Sequence, residues 1–346
     1  MDVRGYAAMA AGEDLVPWSF RRRDVGANDV AIAITHSGIC HSDIHRVREE
    51  WESQTFPIVP GHEIIGHVTA VGADVSRFSI GQRVGVGVYI DSCRECANCL
   101  SGESNYCEKG PIETFAGIER DGVTPTQGGY SNGIVIDQNY VVSVPESLDS
   151  ASAAPLMCAG ITVYSPLERF GAGPGKKVGV MGLGGLGHLA VRFAKAMGAD
   201  VTVFSHSESK RQDALDLGAD HFVYTGDRDH MTSQSMSFDI LVNSVSAPLD
   251  PNPYLALLRL GGVLVFVGLS GQPYPVNAFN LLNQRRMIAG SAIGSVDQLQ
   301  NMLNFAATHG VEASVEVVPA TDINAAYERV VNSDVRYRFV IDASTF

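Results

Sequence analysis

The run Gly182-Leu183-Gly184-Gly185-Leu186-Gly187 constrains the fold of this chain more than any other stretch. An apolar segment (Val178, Val180, Met181) enters it and a helix-like run (Leu189 to Met197) leaves it. A strand, a tight turn and a helix follow one another. Glycines are needed where backbone must turn sharply, approach a pyrophosphate closely and let helix pack on strand, while the N–H groups and dipole of the helix N-terminus hold the phosphate charge. The Gly-x-Gly-x-x-Gly pattern alone also occurs in other α/β turns, so the flanks carry the weight. Beyond the turn the periods alternate: Val201 to Phe204 reads as a strand, Glu208 to Leu217 as a helix, Phe238 to Val242 as a strand, Pro253 to Leu260 as a helix, and Gly262 to Leu269 as a buried strand. This predicts an α/β chain with a doubly wound parallel sheet and its ligand at the carboxyl ends of the strands.

At 346 residues the chain has room for two domains, each with a real core. Its formal charge of −13 argues against nucleic acid or an anionic membrane surface as partner, since both select basic surface. Met1 to Leu15 lacks a basic start followed by an apolar stretch, and no run approaches the roughly 20 apolar residues of a membrane span. A cytoplasmic location is expected. Four of the six cysteines crowd between Cys93 and Cys107, which in a reducing compartment points to metal rather than to a disulfide framework.

The amino-terminal part, to about residue 156, reads as mostly β. Asp29 to Ile34 and Ile64 to Val71 are strand-length runs rich in Val and Ile between Gly, Pro and Asp turns. Gly66, Gly72, Gly81, Gly85 and Gly87 recur in and beside the strands, as a curved, barrel-like sheet requires.

Two metal constellations fall in this part. Cys93-x2-Cys96-x2-Cys99-x7-Cys107 can bring four thiolates tetrahedrally onto Zn²⁺ and leave no position for water, which is the arrangement of a structural site. The alternative is an iron–sulfur cluster, but the bacterial ferredoxin run closes on a shorter gap and a proline, and here Glu108 follows Cys107. The second set is dispersed: Cys40 within Gly38-Ile39-Cys40-His41-Ser42-Asp43-Ile44-His45, then Gly61-His62-Glu63, then Cys158 within Pro155-Leu156-Met157-Cys158-Ala159-Gly160. One imidazole and two thiolates make a three-ligand set with a fourth position open for water or substrate. Taken singly, each is equally a small core hydrophobe or a satisfied polar residue, and spacing does not show that they meet.

The stretches Gly38 to His45, Gly61 to Gly66, Gly81 to Cys107, Ala154 to Leu167, Gly182 to Gly198 and Ser333 to Asp342 resemble the zinc-dependent medium-chain dehydrogenases/reductases, most of all their cinnamyl-alcohol-dehydrogenase branch with its bacterial aldehyde reductases. The resemblance implies a GroES-like β-rich catalytic domain (1–156) with a structural-zinc lobe, a Rossmann cofactor domain (157–295), and a tail (296–346) that returns to the first domain, so that the cleft lies between domains. It implies Cys40, His62 and Cys158 on a catalytic zinc, Glu63 as a carboxylate able to replace water there, and Cys93, Cys96, Cys99 and Cys107 on a structural zinc. Ser42 would hydrogen-bond the substrate oxygen, and His45 would receive its proton through the cofactor ribose. The alternative for Ser42 is a cap on a helix that begins near Asp43, with His45 exposed on it.

Cofactor choice is read after the second strand, where an NAD-preferring fold places an acid about 20 residues beyond the glycines. Here Ser205 stands at that place, in Ser205-His206-Ser207-Glu208-Ser209-Lys210. Hydroxyls and Lys210 suit a 2′-phosphate, and in the similar branch this is the NADP pattern; Glu208 complicates it, and an ordinary solvated helix start is the alternative. The resemblance adds cofactor contacts at Thr162, Ser42, Ser244, Gly268, Ser291, Ala292 and Ile293, with Ala292 smaller than the aromatic common in plant relatives. Trp51 is a candidate substrate contact. The reading is an NADP(H)- and zinc-dependent dehydrogenase interconverting primary alcohols and aldehydes, expected to be a homodimer. The rivals are a zinc-free quinone or enoyl reductase, a polyol dehydrogenase, and a non-enzymatic cofactor-binding protein.

Overall fold

The computed structural model describes residues 1–346. They form two compact units, Met1–Cys158 with Gly294–Phe346, and Ala159–Ile293. The breaks fall after Cys158 and before Gly294, where the sequence placed them after 156 and before 296. Met157 accounts for the first shift. It is fully buried against the strand Arg83–Val86, with its sulfur 2.6 Å from where a Cβ on Gly85 would stand.

The first unit is built on a seven-stranded sheet. Its path runs Val315–Pro319, Arg338–Asp342, Asp29–Ile39, Ile64–Val71, Arg83–Val86, Val142–Ser143, and Gly133–Asp137 also pairs with Asp29–Ile39. Asp29–Ile39 is therefore the hub. Its first half pairs with Gly133–Asp137 and its second half with Arg338–Asp342, antiparallel in both cases, and the whole length pairs with Ile64–Val71 through two register shifts. Such bulges bend a strand, as the clustered glycines led us to expect. Ile32, Ile64, Val84 and Ile134 lie on one side of this sheet with 1% exposure or less, and each such side chain contributes roughly 1.5–3 kcal/mol by leaving water. Pairing of Phe339 with Ile39 carries the carboxyl-terminal Arg338 beside Cys40.

The second unit is a six-stranded, all-parallel sheet in the order His221–Tyr224, Asp200–Ser205, Lys177–Met181, Phe238–Asn243, Leu258–Phe266, Met287–Gly290. The strand order reverses between Lys177–Met181 and Phe238–Asn243, the place where open α/β sheets bind ligands. The helix expected over Pro253 to Leu260 is shorter: Asn252–Leu255 is helical, whereas Leu258 already pairs with Phe238 in the sheet. Leu258 is fully buried beside Phe238, and Gly261 at φ +71° lets the strand continue past the irregular register; tertiary burial overrides the local helical pattern. That strand ends at Phe266, not Leu269. Glu208–Lys210 is a 3₁₀ turn leading into the helix Arg211–Asp216. No helix is long and apolar enough to cross a membrane.

Candidate active site

The sulfurs of Cys93, Cys96, Cys99 and Cys107 lie within 4.8 Å of one another. The chain folds around them by donating backbone N–H groups to sulfur: Cys93 N–H to Cys107 Sγ (3.4 Å), Cys96 N–H to Cys93 Sγ (3.4 Å), and Cys99 N–H and Glu108 N–H to Cys96 Sγ (3.5 Å each). Backbone N–H groups favour thiolate: those of Glu95 and Cys96 hold Cys93 below the usual thiol range, and those of Cys99 and Glu108 do the same for Cys96. Burial pushes Cys99 up to about 11, and Ser92 Oγ, 3.2 Å from its sulfur, opposes the shift. Four convergent soft donors with no other donor among them fit a closed zinc site.

The dispersed set also assembles. One donor atom from each of Cys40, His62, Glu63 and Cys158 falls within 4.8 Å of the others. Cys40 follows the hub strand directly and N-caps the helix His41–Val47; His62 and Glu63 precede Ile64–Val71; Cys158 follows the 3₁₀ turn Ala154–Met157. Hydrogen bonding with Cys158 draws the Cys40 thiol well below its usual range and pushes Cys158 up, so the pair favours one thiolate. Burial would lower His62, yet the Asp43 carboxylate, 2.9 Å from Nδ1, raises it well above its ordinary value. Nε2 is thereby left toward the cysteines as a ligand atom, with Nδ1–H donating to Asp43. Burial pushes Glu63 up to about 7 against the pull of Arg338, which donates to its Oε1. Oε2 of Glu63 is buried without a partner, and a Cβ on Gly38 would lie 2.0 Å from it, so only glycine leaves room for this carboxylate. Two thiols, an imidazole and an orphan carboxylate oxygen fit a zinc ion with an exchangeable position.

Ser42 is inside the first turn of the helix, not its cap, with Oγ 3.7 Å from Cys40 Sγ. His45 follows at i+3 on the same face. Its Nδ1 bonds the Glu50 carboxylate, and its ring stacks on Trp51 at 4.7 Å between centroids. Arg46 braces this corner by a bidentate pair with Glu113 at 2.9 Å and an ion pair with Glu52.

In the second unit the expected cofactor residues, Thr162 apart, all follow the carboxyl ends of parallel strands: Gly182 to Gly187 after Met181, Ser205 to Ser207 at and after the end of Asp200–Ser205, Ser244 after Asn243, Gly268 after Phe266, and Ser291 to Ile293 after Gly290. The loops are tied to each other. Gly182 N–H donates to Phe204 O (2.9 Å), Ser244 Oγ to Met181 O (2.8 Å), Gly268 N–H to Asn243 O (3.0 Å) and Ser291 N–H to Phe266 O (3.2 Å). A Cβ on Gly187 would stand 2.2 Å from Gly182 O, and Gly182 has φ +88°, whereas Gly184 faces open space. That is the cradle a pyrophosphate requires. Ser205 Oγ accepts from Ser207 N–H (3.1 Å), Lys210 Nζ donates to Leu183 O (2.8 Å), and Glu208 is turned onto Arg211 Nε (2.6 Å). His206 is exposed beside them. The strand end thus offers hydroxyls and cations while its one carboxylate is engaged elsewhere, which fits a phosphate on the ribose. Thr162, on the helix Ala159–Arg169, keeps a buried, unpartnered hydroxyl, as does the Asn243 amide nitrogen.

Residues 26–146 match the family model for the alcohol dehydrogenase GroES-like domain, and residues 185–308 match that for zinc-binding dehydrogenases. The chain belongs to the zinc-binding dehydrogenases. This dehydrogenase is 54% identical over 344 residues, 99% of its length and 98% of the relative's, to NADP-dependent alcohol dehydrogenase C 1 of Mycolicibacterium smegmatis. Its structure is similar to that of a cinnamyl alcohol dehydrogenase from Sorghum bicolor, with a TM-score of 0.96 and 45% identity over 99% of this chain and 98% of that one. A cinnamyl alcohol dehydrogenase from Helicobacter pylori, solved with NADP(H), matches at a TM-score of 0.93 and 38% identity over 99% of both chains. These likenesses place it in the cinnamyl-alcohol-dehydrogenase branch.

Four side chains of the dehydrogenase's metal corner escaped the reading of its sequence. Asp43 was visible only as a residue near a helix start, and Arg338 only as one residue of the stretch Ser333 to Asp342 that carries the family resemblance. Glu50 lies five residues beyond His45, which is no helical face, and Tyr130 belongs to a Gly-Gly-Tyr-Ser turn with no pattern of its own.

Proposed function

We propose that this chain is an NADP(H)-dependent, zinc-dependent alcohol dehydrogenase that interconverts primary alcohols and aldehydes, aromatic or medium aliphatic ones included. The observation that carries the reading is the convergence of Cys40, His62, Glu63 and Cys158 in a buried corner beside Ser42. Zinc on Cys40, His62 and Cys158 would polarise the substrate oxygen, and NADP(H) at the glycine turn would supply or take the hydride. Ser42 hydrogen-bonds the substrate oxygen and passes its proton on; His45, oriented by Glu50 and Trp51, holds that proton on its way to solvent. Glu63 stands by as a replaceable oxygen donor, kept from collapsing elsewhere by Arg338. The Ser205, Ser207 and Lys210 corner takes the 2′-phosphate, which a carboxylate at Ser205 would repel. A zinc-free reductase has no use for the Cys40, His62 and Cys158 set.

We further infer a homodimer. Met287–Gly290 is an edge strand with one side unpaired, and Met287, Ile288, Phe279 and Leu282 around it are exposed by 46, 37, 72 and 73%. An open edge beside exposed apolar side chains is a pairing surface. A cytoplasmic location agrees with the reduced cysteines this chemistry requires.

The test is a zinc count beside aldehyde-dependent oxidation of NADPH and of NADH. Two zinc ions per chain and a clear preference for NADPH are expected; one zinc per chain, or equal kcat/KM for the two cofactors, overturns the corresponding half of the reading.

A further inference from the structure

The Asp43 carboxylate is fully buried and takes four hydrogen bonds. Oδ1 accepts from Gly61 N–H (3.0 Å) and His62 Nδ1–H (2.9 Å); Oδ2 accepts from Cys40 N–H (2.9 Å) and the Tyr130 hydroxyl (3.0 Å). Three of these donors sit on the two chain segments that carry Cys40 and His62. The fourth is brought in from elsewhere.

The loop that brings it, 127–133, lies flush on the segment leading to His62. Gly128, Gly129 and Tyr130 N–H groups donate to Val59, Gly61 and Pro60 carbonyls at 2.7, 2.8 and 2.9 Å, and Gln127 Oε1 accepts from Val59 N–H at 2.6 Å. A Cβ on Gly128 would lie 2.3 Å from Pro60 O, and one on Gly61 2.6 Å from the Tyr130 ring, so the two backbones touch. From the other side the Arg22 guanidinium holds the same loop. It donates to Gly133 O (3.0 Å), Gly128 O (2.7 Å), Ser131 Oγ (3.0 Å) and the Gln127 carbonyl, and none of these acceptors is charged. A planar fork with this many donors fixes a loop in place rather than neutralising a charge.

We propose that Tyr130, presented by the loop that Arg22 clamps, is a positioning residue for the catalytic metal centre: its hydroxyl sets the orientation and acceptor strength of Asp43, and through Asp43 the pose of the His62 ring. The inference rests on the reading that Cys40, His62 and Cys158 hold zinc. The physical cause is the balance at Oδ2. With the phenol in place each oxygen serves two donors; without it Oδ2 keeps only Cys40 N–H, on a carboxylate that is fully buried together with the Tyr130 ring. The carboxylate then turns and its bond to His62 Nδ1–H loses its aim. Partners one bond beyond a metal ligand are worth 10–100-fold in affinity, and a group one bond further out falls at or below the lower bound, about tenfold.

The experiment compares wild type with Tyr130→Phe, which removes one oxygen and keeps the ring, by following zinc release to a chromogenic chelator and the visible spectrum of protein with cobalt in the catalytic site. The phase lost in Cys40→Ser identifies catalytic zinc, and the four-cysteine zinc serves as an internal control. Release of catalytic zinc about tenfold faster in Tyr130→Phe, with the other phase unchanged and a shifted cobalt spectrum, is the expected result. An unchanged catalytic phase overturns the inference alone. Equal acceleration of both phases makes Tyr130 a packing residue and also overturns it. A wild type that carries one zinc overturns the metal reading and the inference with it.

Discussion

The two cysteine constellations of the first unit solve the problem of gathering ligands in opposite ways. The four-cysteine lobe draws on 15 consecutive residues, Cys93 to Cys107, near the surface, and turns its own backbone N–H groups onto its sulfurs. The other set draws on the end of one strand, the start of a second and a turn nearly a hundred residues further on, and secures them with buried carboxylates, Asp43 and Glu63, each fastened in turn. Local chain can close a site by folding its own backbone N–H groups onto its sulfurs. A site that must keep one position open needs rigid support from outside, since its ligands cannot hold one another.

That contrast can be broken most severely at the ligands. Cys40→Ser is expected to lower kcat/KM by about 10³-fold or more while one zinc per chain is retained, whereas Cys93→Ser should lower the melting temperature and leave residual activity in the folded fraction. Metal analysis beside calorimetry decides it, and loss of both zinc ions from Cys40→Ser would show that the two sites are not independent. Next comes Ser42→Ala, expected to cut kcat roughly 10²-fold with both zinc ions in place. Steady-state rates with a metal count check this, and near-normal turnover would remove Ser42 from the proton path.

The comparison extends to the second unit, where the glycine turn and the loops after the strands are fastened to one another through backbone groups. Ser205→Asp should lower kcat/KM for NADPH by about 10- to 100-fold and raise it for NADH, without touching either metal. Unchanged cofactor preference would place the 2′-phosphate elsewhere. The smallest effect belongs to the lobe: Ser92→Ala removes the hydroxyl that meets both Cys99 Sγ (3.2 Å) and Tyr140 Oη (2.6 Å), and about 1–2 kcal/mol of stability is expected to go with it. Chemical denaturation measures that loss, and activity at saturating substrate should not move.

The sequence by itself determined the elements that depend on short range. The spacing of Cys93, Cys96, Cys99 and Cys107, the strand–glycine–helix run around Gly182 and the apolar strand Ile64–Val71 were all legible, because each is decided by residues adjacent in the chain. Leu258 to Leu260 read as helix and form strand, since burial beside Phe238 outweighs local pattern. Only the tertiary structure decided that Cys40, His62 and Cys158 meet. Only it brought Arg338 to Glu63 and Tyr130 to Asp43, contacts between residues 275 and 87 positions apart. The reason is physical: a buried charge must find its partner wherever the sheet register places one, and the pairing of Phe339 with Ile39, which delivers Arg338, leaves no mark on the sequence around either residue.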